Sequence, residues 1–176
     1  SAAALLTVNP KPSAALTINS PCQGQSALLT STTIGLINSF TWYYGDGTAS
    51  FTSNQNSSTH IYNTAGNYQV ALIVNTLAGC KDSVSQQITI HPKPNVSYTV
   101  SNVCVDTVAT FISTSTIAAS SSIDSLRWIF GDGTELNGNS TSTNKLYNNW
   151  GNYNTKLIVT SINGCKDSAQ RIVRAK

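Results

Sequence analysis

The sequence predicts an all-β chain of two tandem, seven-stranded, immunoglobulin-like sandwiches. Three observations carry that reading: a long stretch is written twice, apolar residues alternate with period two, and each copy sets a tryptophan on its third short strand.

The first copy of the repeated stretch runs Trp42-Tyr43-Tyr44-Gly45-Asp46-Gly47, then His60-Ile61-Tyr62, Gly66-Asn67-Tyr68, and an alternation through Val70, Leu72 and Val74 to Gly79-Cys80-Lys81-Asp82-Ser83. The second runs Trp128-Ile129-Phe130-Gly131-Asp132-Gly133, Tyr147, Gly151-Asn152-Tyr153, Leu157, Val159 and Gly164-Cys165-Lys166-Asp167-Ser168. A period above 80 residues marks tandem domains rather than solenoid units. Residues 6–12 (Leu6 to Pro12) align with residues 88–94 (Ile88 to Pro94), so residues 1–11 read as the last strand of a preceding repeat. The first domain then spans 12–93 and the second 94–176, and the chain reads as an excerpt from a longer array.

In the first domain the expected strands cover residues 14–18, 26–32, 39–44, about 49–51, 58–62, 68–75 and 83–90. Trp42 and Trp128 are expected in the two cores. Tyr68 and Tyr153 open the sixth strand, where a tyrosine corner bonds back to the backbone, and they complete the expected core motif. Gly-Asp-Gly is a turn by composition, since glycine reaches positive φ and Asp caps its own backbone. The linker His91-Pro92-Lys93-Pro94 is stiffened by two prolines, which suits a spacer.

Only 10% of the residues are charged, Glu135 is the single glutamate, and the net charge of +3 forms no Lys/Arg cluster. A nucleic-acid partner is therefore not expected. Ala2-Ala3-Ala4-Leu5-Leu6 is too short for a membrane span. Catalysis fails on inventory: the histidines are His60 and His91, Lys145 stands where His60 does, and Asp46 and Asp132 are one position in separate domains. No catalytic residue is assigned. An exposed aromatic is what carbohydrate contact needs; Trp150 is the candidate, with Tyr43 behind it.

The four cysteines, Cys22, Cys80, Cys104 and Cys165, show no zinc-like spacing and read as disulfide candidates of an extracellular protein. Repeat symmetry suggests Cys22–Cys80 and Cys104–Cys165. Strand order objects, because a strand of six residues separates its ends by about 20 Å whereas a disulfide needs Cα atoms within about 7 Å. It favours Cys22–Cys165, leaving Cys80 and Cys104 for neighbouring repeats, and both schemes stay open on the sequence.

The set W-x-F-G-D-G, H-x-Y and G-x-Y-x-V-x-L-x-V resembles the PKD domain, and it covers both repeats from Pro12 to Val173. Tyr44 stands where the family has Phe, Lys145 where it has His, and Thr155 where it has Val. The Gly-Cys-Lys-Asp-Ser endings and Pro-Lys-Pro linkers resemble arrays in large surface proteins of Bacteroidetes, including gliding-motility adhesins and type IX secretion cargo. Asp82-Ser83-Val84, Asp106-Thr107-Val108, Asp124-Ser125-Leu126 and Asp167-Ser168-Ala169 resemble the O-glycosylation motif of that group. The resemblance implies a non-catalytic extracellular spacer or adhesion module, with neighbouring domains of the same polypeptide and extracellular polysaccharide or protein as partners. The alternative is an accessory module of a secreted polysaccharide- or protein-degrading enzyme. No cofactor and no metal are expected; calcium, which some members bind, would fall on Asp46 and Asp132.

Overall fold

A computed structural model describes residues 8–176. They divide between Ile90 and His91 into two compact units. The first seven residues of the segment expected as a preceding repeat's last strand lie outside the described residues, and residues 8–11 carry no strand.

The first domain contains β1 (Leu16–Ile18), β2 (Ser26–Ser31), β3 (Ile37–Tyr43), β4 (Phe51–Ser53), β5 (Ser57–Ile61), β6 (Gly66–Thr76) and β7 (Lys81–Ile90). These form a three-stranded sheet, β1-β2-β5, and a four-stranded sheet, β4-β3-β6-β7, antiparallel throughout. The second domain repeats the plan with β8 (Tyr98–Thr99), β9 (Val108–Ser113), β10 (Ile123–Ile129), β11 (Glu135–Gly138), β12 (Ser142–Leu146), β13 (Gly151–Ser161) and β14 (Lys166–Ala175). Its sheets are β8-β9-β12 and β11-β10-β13-β14. The all-β, immunoglobulin-like expectation is borne out, with strand ends within three residues of those read from the sequence.

The alternation dictates which side chains face inward. On β6, Val70, Leu72 and Val74 are fully buried, and on β13 Leu157 and Val159 are. Trp42 and Trp128 sit at the centre of their cores, and truncating a side chain of that size costs about 3–5 kcal/mol. Tyr68 and Tyr153 are half-buried and pack against these cores. Their hydroxyls must reach backbone, and they do: Tyr68 Oη donates to Thr64 O at 2.8 Å and Tyr153 Oη to Asn149 O at 2.9 Å. Those are tyrosine corners, which need the ring at the edge.

Each linker is held by the domain that follows it. In the first domain Asp82 takes Lys11 Nζ on one oxygen and the Ala14 N–H on the other, both at 2.8 Å. In the second, Lys93 Nζ lies 3.3 Å from Asp167. The lysine of Pro-Lys-Pro and the aspartate of Gly-Cys-Lys-Asp-Ser are therefore partners.

Candidate functional site

The repeated Gly-Asp-Gly turn follows β3 in one domain and β10 in the other. Gly45 and Gly131 have φ of +79° and +82°, in the left-handed region. A Cβ on Gly131 would stand 2.7 Å from Asn154 O, and one on Gly45 would strike the Gln69 backbone. Only glycine lets the turn lie this close on β6 and β13.

The aspartate between the glycines is tied into its own turn and to a basic side chain. Thr48 donates to Asp46 Oδ1 through its hydroxyl (2.6 Å) and its N–H (3.1 Å). His60 Nε2 lies 2.7 Å from Asp46 Oδ2. The imidazole stacks on Tyr44, with ring centres 4.0 Å apart and planes 7° from parallel. In the second domain Thr134 repeats the turn bonds at 2.6 and 3.0 Å, and Lys145 Nζ reaches Asp132 Oδ2 at 2.6 Å. That ammonium lies 5.5 Å from the centre of the Phe130 ring. Histidine and lysine are thus two solutions to one requirement, a basic side chain against an aromatic ring and facing the turn aspartate. Burial works to raise the Asp46 carboxyl, but hydrogen bonds from Thr48 and His60 and the nearby charge outweigh it and hold its pKa at about 2. Asp132, opposed by burial and relieved by Lys145 and Thr134, is also held at about 2. Beneath the turns, Tyr62 and Tyr147 donate to the carbonyls of Tyr44 and Phe130, each at 2.9 Å. Burial first, then the neighbouring aspartate, pushes both phenols up.

This arrangement fastens a turn. Calcium takes six to eight oxygens, whereas each candidate aspartate offers one carboxylate already engaged by His60 or Lys145. Among the described residues no three His, Cys, Asp or Glu side chains cluster in a metal-holding group. The pairing of His60 and Lys145 with the aspartates escaped the sequence reading. The available signal was that one basic residue replaces another at nearly constant sequence distance from Asp46 and Asp132.

Trp150, the ligand-contact candidate, is 84% exposed on the turn before β13, and Tyr43 is about half as exposed. In the first domain a groove of about 330 Å³ is lined by Tyr44, Phe51, Gln55 and residues 57–59, away from Tyr43. Among the motif hydroxyls, Ser83, Thr107 and Ser168 are exposed and Ser125 is half-buried.

The cysteines separate into two kinds. Cys22 and Cys165 are disulfide-bonded. Cys80 and Cys104 are free thiols, so the symmetric scheme Cys22–Cys80 and Cys104–Cys165 does not form. Its failure is geometric. Cys80 precedes β7, and Cys22 lies beside Tyr62 at the far end of that strand; ten residues of strand span about 33 Å.

The PKD domain profile matches residues 8–92 and again 89–175. The chain belongs to the PKD-domain family. Solved structures similar to it include the PKD1 domain from the Vibrio cholerae metalloprotease PrtV, 30% identical over 46% of this chain and 98% of that one, with a TM-score of 0.39. The PKD1 domain of Vibrio anguillarum Epp is 22% identical over 47% of this chain and 96% of that one, with a TM-score of 0.40. The fibronectin(III)-like modules of Clostridium thermocellum CbhA are 14% identical over 92% and 94%, with a TM-score of 0.45. No curated protein matches the chain. In these tandem PKD domains Asp46 and Asp132 hold their turns, and Trp42 and Trp128 lie in the cores. No helix among the described residues is long and apolar enough to cross a membrane.

Proposed function

We propose that these tandem PKD domains are a non-catalytic extracellular spacer and adhesion module of a longer, repetitive cell-surface protein. The supporting observation is the pairing of each turn aspartate with a basic side chain. The residues of the repeated motif with the most chemical potential, Asp46 with His60 and Asp132 with Lys145, are engaged in holding a turn, and histidine exchanges with lysine between copies. The contact that fastens the turn is kept across that exchange. That Cys22 and Cys165 are each disulfide-bonded suits an oxidising, extracellular compartment. Its partners are neighbouring domains of the polypeptide and, at its surface, extracellular polysaccharide or protein. The Gly-Cys-Lys-Asp-Ser and Pro-Lys-Pro pattern supports a Bacteroidetes gliding or type IX secreted source. Protease shaving of intact cells of the source organism tests the location: release of peptides from residues 8–176 is expected, and their recovery only after lysis overturns it.

The second reading, an accessory module of a secreted degradative enzyme, is favoured by one observation, the exposed Trp150. Cellulose, chitin and collagen pull-downs separate the two. Retention lost in Trp150→Ala supports the accessory module, and no retention on any of the three supports the spacer.

A further inference from the structure

The four cysteines occupy two poles of the repeat. Cys22 and Cys104 mark the downstream pole, where each domain's last strand ends. Gly24 N–H donates to Tyr62 O at 2.9 Å, beside Gly66 and its partner Ile90. Likewise Val103 bridges Ala175, and Val105 N–H donates to Lys176 O at 2.8 Å. Cys80 and Cys165 mark the upstream pole, where the linker arrives: Cys80 Sγ lies 4.0 Å from Asn9 O, and Cys165 Sγ 3.8 Å from His91 O.

We propose that the upstream pole of the first domain seats a preceding PKD repeat of the same polypeptide, with a disulfide from Cys80 to that repeat's downstream-pole cysteine, and that Cys104 makes the same bond to a following repeat. The inference rests on the array reading above. The first support is the internal repeat itself. Cys165, the counterpart of Cys80, is fully buried and disulfide-bonded, whereas Cys80 is half-buried and free. Cys22, the counterpart of the free and exposed Cys104, is disulfide-bonded too. The second support is the surface around Cys80. An apolar groove of about 340 Å³ lies between the linker (Pro10, Pro12) and the turns bearing Ile34, Leu36 and Leu77, and these three side chains are more than four-fifths exposed. Single exposed apolar residues are ordinary, but several converging on one groove mark an interaction surface. The occupant is a repeat rather than an unrelated protein, because the same linker clamp recurs at both upstream poles, in Lys11–Asp82 and Lys93–Asp167.

The bond forms by thiol–disulfide exchange with a disulfide oxidant such as oxidised glutathione. One cysteine thiolate attacks it, making a mixed disulfide and releasing one glutathione thiolate. The second cysteine thiolate attacks the protein sulfur of that intermediate, forming the inter-repeat S–S bond and releasing the second glutathione. Two cysteines lose two electrons, one oxidised glutathione gains them, and the two cysteine protons pass to the departing thiolates.

A head-to-tail fusion tests this. Residues 1–176 joined directly to a second copy beginning at Pro10 keep the linker register, since Lys176 takes the place of His91 before Pro-Lys-Pro. Folded with a glutathione redox couple, the monomeric fusion is expected to titrate with the same two free thiols as the parent chain, because Cys104 of the first copy and Cys80 of the second consume each other. Cys104→Ser in the first copy should then raise the count to three. Four free thiols in the folded fusion, or disulfide-linked dimers in place of the internal bond, overturn the proposal. Retention on polysaccharide would count against the spacer reading and leaves the thiol count untouched, so the two failures are read separately.

Discussion

The hydroxyl of Tyr98 lies 2.7 Å from that of Thr155, joining the two sheets of the second domain through its core. Tyr98 also donates to Thr155 O at 2.9 Å, and Thr155 Oγ1 donates to Arg171 O. The corresponding residues of the first domain are Leu16 and Val70, both buried. An apolar pair in one repeat has become a hydrogen-bonded pair in the other. Thr155→Val should cost about 1–2 kcal/mol by removing one partner of a buried bond. Tyr98→Leu with Thr155→Val should recover part of the summed loss, a coupling of about 1 kcal/mol in a double-mutant cycle by urea unfolding. Strict additivity would show that the pair is not coupled.

Gly45 and Gly131 should tolerate alanine far worse than Gly47 and Gly133. All four have positive φ, which costs an L-residue about 1–2 kcal/mol. Only the first two also meet backbone at sub-van-der-Waals distance, while the others face open space. Gly131→Ala is therefore expected to lower the melting temperature at least twice as much as Gly133→Ala; equal losses would mean that the close approach to Asn154 is unimportant.

Acid should weaken both turns. The Asp46 and Asp132 carboxyls fall from an ordinary 3.8 to about 2 on folding. A depressed carboxylate contributes its full stability above the unfolded value and loses it as pH drops through the folded one. Melting temperatures should thus decline between pH 4 and pH 2 by a margin that shrinks in Asp46→Asn. Parallel declines in the two proteins would remove Asp46 from the acid response.

His60→Lys should leave stability within about 1 kcal/mol, because the second domain already uses that cation. His60→Leu strands a half-buried carboxylate and should cost about 1–3 kcal/mol by chemical denaturation. A lysine variant as unstable as the leucine one would show that the Tyr44 stack, not charge, holds the turn.

The strands and tryptophans were legible because alternation and a repeated motif are local signals. Tyr98 and Thr155 were not: both depart from the other repeat, but they are 57 residues apart in the chain and meet only when the sheets stack. The Lys11–Asp82 clamp was hidden for a similar reason. Its two halves belong to motifs at opposite ends of the domain sequence, and nothing local marks them as partners.

That clamp has a consequence for where each domain begins. Because Asp82 and Asp167 each grip the lysine upstream of their own domain, linker and sandwich make one mechanical unit, and the second such unit opens at His91 rather than at Pro94.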